Sequence, residues 1–261
     1  MEKIDSVLVR YNEIGIKGNN RGYFEKKLIT NIKDCLKKNK IDFSITKYFG
    51  RIIINTQNKC FCLKTVFGIS SISPAFKVEL NFDKIKEQSL KLYSKGSFRI
   101  SSKRLNKKFN IGSEELNKSL GEFIIEKTKA KVNLIKPDCN VGVEIMDRAY
   151  LFNERYECLG GLPVGVEGLV TLIIEDEKDL LAGILMMKRG CNLEVINKKN
   201  IDFSILEKYS YGNDIRVVNF PSKESLAVVK MDKLENLKNT FEGKIVLNPL
   251  IGNEKDLLKE F

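Results

Sequence analysis

Leu169–Gly183 reads LVTLIIEDEKDLLAG. The apolar run Leu169–Ile174 has the length and branching of a strand. Glu175-Asp176-Glu177-Lys178-Asp179 follows as a charged turn, and Leu180–Met187 continues as an apolar helix that closes on Lys188-Arg189-Gly190. Strand, turn and helix in this order form the frame in which doubly wound sheets hold phosphate on backbone N–H groups. Outward from it, the pattern predicts a helix over 176–189 and strands over 192–197, 214–220 and 244–248. Helices are predicted over 202–209, 223–239 and 253–260. Alternation of this kind implies a parallel sheet, small for its class. The turn itself is wrong for phosphate. A phosphate loop needs glycines for close approach and small hydroxyls as donors, and bulky or acidic side chains stand at those places.

The N-terminal part has a different rhythm. A strand over 4–10 leads through a Gly/Asn-rich turn, 15–22, to a helix over 23–38 with the stripe Phe24, Leu28, Ile32 and Leu36. Strands over 44–48 and 51–55, a short helix over 60–67, and a strand over 69–80 broken at Pro74 complete a β-α-β-β-α-β order. That order predicts a ferredoxin-like unit. A second unit has a helix capped by Asn81 or Asp83, a strand over 97–101, and a helix N-capped by Ser113. Its further strands are predicted over 132–135, 140–145 and 149–152. Residues 156–168 read as a linker. The expected domains are 1–80, ferredoxin-like; 81–165, a second α+β unit; and 166–261, a truncated α/β domain.

The 261 residues hold 45 Lys+Arg against 34 Asp+Glu, a formal charge of +11, and no histidine. Imidazole-based acid–base chemistry and His-containing zinc sites are excluded. Six scattered cysteines lack a CxxC pair and read as small buried hydrophobes. No metal or cofactor is expected. With no long apolar run and no signal-like N-terminus, no membrane segment is expected, and the cytoplasm is the expected compartment. From Gln88 to Ser113 there is no acidic residue, while Lys91, Lys95, Arg99, Lys103, Arg104, Lys107 and Lys108 fall there with Tyr93, Phe98 and Phe109 interleaved. Lys103, Arg104, Lys107 and Lys108 are expected in a loop where they reach phosphates. Arg10, Lys17, Asn20 and Arg21 form a second candidate set. An Arg10–Glu13 ion pair is the structural alternative for the first of these.

Arg10-Tyr11-Asn12-Glu13-Ile14-Gly15-Ile16-Lys17-Gly18-Asn19-Asn20-Arg21 with Phe24-Glu25 resembles the N-terminal signature of the tRNA 4-thiouridine synthetase (ThiI) family. Lys103-Arg104, Lys107, Phe109, Ser113, Glu115, Gly121, Lys131-Val132-Asn133-Leu134 and Pro137 are similar to that family's THUMP domain. Val143-Glu144-Ile145, Ala149-Tyr150, Gly160 to Gly165 and Leu185 to Gly190 continue the likeness. So do Ser225-Leu226, Leu234-Glu235-Asn236-Leu237 and Pro249-Leu250-Ile251-Gly252. The resemblance implies ferredoxin-like, THUMP and PP-loop domains, and tRNA held at its acceptor stem or 3′ end.

The departures bear on chemistry. The family's PP-loop, SGGxDS, falls on Ile174, Glu175, Asp176, Glu177, Lys178 and Asp179, and none of them matches. Carboxylates there favour the helix dipole, as cap and first-turn residues, and repel an incoming phosphate. Of the family's SLGQVAS segment only Ser225 and Leu226 remain. A stretch carrying the family's sulfur-handling cysteine is largely absent, and no rhodanese domain is expected. The reading that follows is a non-catalytic tRNA-binding protein, a structural base or docking face for a partner tRNA-modifying enzyme. The alternatives are a diverged tRNA sulfurtransferase using Cys191, active alone or with a partner that supplies the ATP chemistry, and an assembly protein that ignores RNA.

Overall fold

The structure is a computed structural model that describes residues 3–231 and 239–250. Packing divides the chain into two compact units. One holds residues up to Arg10, 41–61 and 71–157; the other holds 11–40, 62–70 and the chain from Cys158.

The first unit is built on one mixed sheet. Its strands are β1 (Ser6–Arg10), β2 (Ser44–Tyr48), β3 (Arg51–Asn55), β4 (Ser71–Val78), β5 (Phe98–Arg104), β6 (Cys139–Ile145), β7 (Ala149–Phe152) and β8 (Tyr156–Glu157). They lie in the order β2-β3-β1-β4-β7-β6-β5, with β8 paired to β4. β5 and β6 are parallel; the other pairs are antiparallel. α1 (Arg21–Lys38) belongs to the second unit; α2 (Phe82–Leu92) and α3 (Ser113–Thr128) cover one face of this sheet. Their Ile85, Leu116, Leu120 and Ile124 pack on Phe98, Ile100, Val141 and Val143. Alternation on β5 and β6 therefore sends Arg99, Ser101, Lys103, Asn140 and Glu144 to the other face.

Several expectations change here. Pro74 does not break β4: it pairs with Val7 in an unbroken ladder. Asp5 N–H reaches Ala75 O at 3.3 Å, so Pro74's nitrogen faces the flank between Ile72, the last partner of β8, and Phe76, the first of β7. No ladder bond is lost there. Asn81, not Asp83, caps α2, accepting from Lys84 N–H at 3.1 Å. Ser113 is the first residue of α3 and not its cap; its hydroxyl accepts from Arg104 N–H at 3.0 Å. β5 extends to Arg104 because its parallel register with β6 runs on to Ile145. Residues 132–135 are not a strand. Val132 makes one bridge to Phe98, and Ile135 is 94% exposed on a turn that Asn133 closes by accepting from the N–H groups of Ile135 and Lys136.

The second unit contains α1 (Arg21–Lys38) and short 3-10 turns at Glu13–Ile16, Gly18–Asn20 and Phe61–Thr65, the last partly shared with the first unit's boundary. The segment read as a short helix over 60–67 is thus a 3-10 turn. After Cys158 come β9 (Leu169–Ile174), α4 (Asp179–Lys188), β10 (Asn192–Asn197), α5 (Ser204–Glu207), β11 (Arg216–Val217), β12 (Ser225–Val229), β13 (Thr240–Phe241) and β14 (Lys244–Leu247). The sheet order is β11-β10-β9-β12-β14-β13, parallel from β11 to β14, with β13 and β14 an antiparallel hairpin. Of the doubly wound arrangement, the parallel sheet is present, and the described helices α4 and α5 pack together on one of its faces.

The helix expected over 223–239 is contradicted at its start: Ser225–Val229 is a strand beside β9. Ala227, Val228 and Val229 are all buried, the continuous apolar run of a strand covered on both faces. Residues 232–238 of that expectation lie outside the described residues, as do the helix expected over 253–260 and the motif residues Leu234 to Leu237, Ile251 and Gly252. Among the described residues, no helix is long and apolar enough to cross a membrane.

Candidate nucleic-acid interface

The face of the first unit's sheet away from α2 and α3 carries a polar groove of about 470 Å³. Arg10, Arg51, Arg99, Lys103 and Arg155 line it against only two carboxylates, Glu144 and Glu154. Its floor is rigid. Glu144, 5% exposed, sits on β6 between two guanidinium groups. Arg10 Nε donates to its Oε1 at 2.9 Å, and Arg51 Nε to its Oε2 at 2.6 Å. Arg10 Nη1 also donates to Ser73 Oγ at 3.0 Å, and the guanidinium lies 4.7 Å from the Phe152 ring centre. Burial would raise the Glu144 pKa, but Arg10 and Arg51 outweigh it and hold the carboxyl below the usual glutamate range. Gly142 opposes Phe152, and a Cβ there would stand 2.3 Å from the ring; the bare backbone is what lets the ring lie across the strand.

Of the first candidate set, Lys103 and Arg104 end β5 rather than lie in a loop; Lys107 and Lys108 follow in a turn. Lys103, Lys107 and Lys108 are exposed, without an ion-pair partner among the described residues. Arg104 is half-buried and donates to Phe109 O at 3.0 Å, so part of its role is to close the turn.

The second set is dispersed. Arg10 is buried in the first unit. Its partner is Glu144, not Glu13; Glu13 pairs with Arg189 at 3.3 Å. The alternation of β1 turns Arg10 onto the sheet face that carries Glu144. Lys17, in the second unit, pairs with Glu167 at 3.6 Å. Arg21 donates to Glu25 at 2.7 Å and to Tyr11 at 3.0 Å. Asn20 is exposed and makes no side-chain cap bond to α1.

Sequence reasoning missed Arg51, Arg155 and the central role of Glu144. One signal was present: an acid inside the apolar strand 141–145 demands a buried cation.

In the second unit, β10 and β12 flank β9 on opposite sides, so the chain after Ile174 leaves the sheet at its topological switch point, the usual nucleotide crevice of such folds. α4 begins at Asp179, three residues later than expected, because Asp176 forms a turn by accepting from Lys178 N–H at 2.9 Å. The buried Asp179 carboxylate accepts from the N–H groups of both Glu175 and Asp176 at 2.8 Å. A carboxylate of the chain thus occupies donors of the kind that a phosphate would take. Burial raises the Asp179 pKa, against the pull of those two hydrogen bonds. Glu175 pairs with Lys198 at 2.7 Å. Cys191 is buried, and burial together with Glu167 pushes its thiol pKa up.

Residues 6–73 match the ThiI ferredoxin-like domain, and residues 79–154 match the THUMP domain. A probable tRNA sulfurtransferase of Methanocaldococcus jannaschii is 34% identical over 257 residues, covering 89% of this chain and 67% of that one. The chain belongs to the ThiI family. A probable tRNA sulfurtransferase of Thermococcus kodakarensis is 33% identical, over 88% of this chain and 65% of the relative; the chain spans about two thirds of the length of these ThiI relatives. The crystal structure of PH1313 from Pyrococcus horikoshii superposes with a TM-score of 0.86 at 31% identity, covering 98% of both chains. A 4-thiouridine synthetase in complex with RNA and ATP matches at 28% identity and TM-score 0.67, over 82% of this chain and 61% of that one.

Proposed function

We propose that this ThiI-family chain binds tRNA without carrying out ATP-dependent thiolation, and serves as an RNA-binding accessory factor in cytoplasmic tRNA modification. The observation that carries the non-catalytic part is the Asp179 carboxylate seated on the N–H groups of Glu175 and Asp176. An incoming phosphate would have to displace it and face Glu175 and Asp176 besides. The RNA part is supported by the THUMP match over 79–154, the cation-lined groove, and the exposed Lys103, Lys107 and Lys108. In this reading residues 1–80 and 81–165 are the ferredoxin-like and THUMP domains. They hold the acceptor stem or 3′ end, and residues 166–261 are a degenerate PP-loop domain on which a modifying enzyme docks. Arg104 supports the lysines, while Lys17, Asn20 and Arg21 are secondary contacts and Arg10 acts through the groove floor.

Binding of an intact tRNA and of the same tRNA trimmed of its terminal CCA, compared across a salt titration, tests this reading. Tight binding to the intact form alone is expected. Replacing Lys103, Lys107 and Lys108 together by alanine lowers the slope of log K against log salt by roughly 2–3, at about 0.7–0.9 for each phosphate that is no longer neutralised. Absence of binding to either RNA refutes the reading and favours an assembly role. ATP retained in equilibrium dialysis, with thiolation that Cys191→Ala abolishes, refutes the non-catalytic part and favours the sulfurtransferase.

A further inference from the structure

One end of the first unit's sheet carries a feature that phosphate binding alone does not use. The tip of the β2–β3 hairpin presents Phe49, 82% exposed. It borders a recess of about 340 Å³ lined by Tyr48, Phe49, Leu105, Asn106, Met146 and Asp147. A large aromatic side chain this exposed buries little of its area in the fold; as one wall of a concave patch lined mostly by apolar side chains it marks a contact site.

The three turns that form the walls are tied to one another. The Tyr48 hydroxyl donates to Asp147 Oδ1. Asn106 Nδ2 donates to Met146 O at 2.9 Å, and the N–H groups of Leu105 and Asn106 both reach Ile145 O, at 2.9 and 3.0 Å. The recess is therefore preformed, and occupying it orders little that is not already fixed. Burial, reinforced by Asp147, raises the Tyr48 pKa, so the phenol keeps its proton and fills one carboxylate oxygen. Asp147 is exposed, and its other oxygen has no partner among the described residues. In the chain, Lys103 and Arg104 immediately precede Leu105, and Lys107 and Lys108 immediately follow Asn106. An aromatic wall, one vacant anionic acceptor and flanking cations are what a base pulled out of its stack requires: a π-face, an edge partner, and neutralised phosphates on either side.

We propose that this recess seats a single unstacked nucleobase of the bound RNA, stacked on Phe49 and hydrogen-bonded through an amino group to Asp147. The assignment rests on the RNA-binding reading above and adds a base-selective element to it. A carboxylate accepts from the exocyclic amino group of adenine, cytosine or guanine. It disfavours uracil, whose only ring N–H lies between two carbonyl oxygens.

The test uses the full chain and two RNA hairpins with the same duplex, one blunt and one with a short single-stranded extension of adenosines, measured by fluorescence anisotropy. The wild type binds the extended hairpin more tightly. Phe49→Ala weakens that binding about 5- to 150-fold, the range for losing one stacked base. It leaves blunt-hairpin affinity and the salt slope unchanged, and Phe49→Trp restores the difference. Asp147→Asn narrows the gap between adenosine and uridine extensions while the Phe49 effect persists. If Phe49→Ala binds the extended hairpin as the wild type does, while alanine at Lys103, Lys107 and Lys108 weakens it, the recess is refuted and RNA binding stands. If the wild type binds neither hairpin, both fall. Because Phe49 is solvent-exposed, an unchanged melting temperature in Phe49→Ala separates loss of the site from loss of the fold.

Discussion

Replacing Glu144 by glutamine probes the floor of the groove. Glu144 closes three hydrogen bonds to two guanidinium groups: Arg10 Nε at 2.9 Å, Arg51 Nε at 2.6 Å and Arg51 Nη2 at 3.4 Å. All three residues are at least nine-tenths buried. With the carboxylate present the trio carries one net positive charge; with an amide it carries two, and the amide NH2 points a donor at a donor. Breaking a buried pair by removing one partner costs about 3–5 kcal/mol, and the loss falls on the first unit, where β1, β3 and β6 meet the trio. Hydrogen exchange of amides in β6 and β7, followed by mass spectrometry, reads that unit directly; faster exchange by roughly two to three and a half orders of magnitude is expected, since each 1.4 kcal/mol is tenfold. A matched control replaces Arg10, Arg51 and Glu144 together by Met, Met and Leu. Removing all the charges at once leaves no orphan, so its stability lies near that of the wild type or above it. The pH dependence has a definite sign. The folded-state pKa of Glu144 is depressed, so its stabilisation is fully present above the unfolded value of about 4.3 and is lost as pH falls through the lower folded value. Protection in Glu144→Gln within a factor of about five of the wild type, equivalent to under 1 kcal/mol, would refute the reasoning.

Two further expectations follow from close approaches. Gly142→Ala places a Cβ 2.3 Å from the Phe152 ring; the ring must leave the sheet face, at a cost of about 1–3 kcal/mol that a thermal melt detects. Asp179→Ala strands the N–H groups of Glu175 and Asp176 and destabilises by about 1–2 kcal/mol in urea unfolding, whereas Asp179→Asn keeps an acceptor and costs much less. Because burial raises the folded pKa of Asp179, its charge opposes folding above that value and the penalty fades as pH falls through it toward the unfolded pKa; Asp179→Asn loses this dependence.

Some features were legible in the residues alone. The strands over 44–48, 51–55, 149–152 and 192–197 have the bounds that period and turn signals predict, because short apolar segments between Gly, Asn and Asp leave few alternatives. The parallel sheet, the acidic turn at its switch point and the acid-free basic window were likewise written in local pattern. Local pattern failed where the environment lay far away in sequence. Ser225-Leu226-Ala227-Val228-Val229 fits a buried strand as well as a helix, and only pairing with β9 decides for the strand. Lys103 and Arg104 become strand residues because β6 extends alongside them. Arg10 stands three residues from Glu13 in sequence, yet its partner is 134 residues away. Local sequence thus set which segments could be strands or helices and where charge accumulates, since those depend on each residue's neighbours and chemistry. Which carboxylate neutralises Arg10, which side chain fills the turn after β9, and that Tyr48, Leu105 and Asp147 border one recess were decided only when the sheet brought distant strands within a few ångströms of each other, the range over which hydrogen bonds and van der Waals packing act.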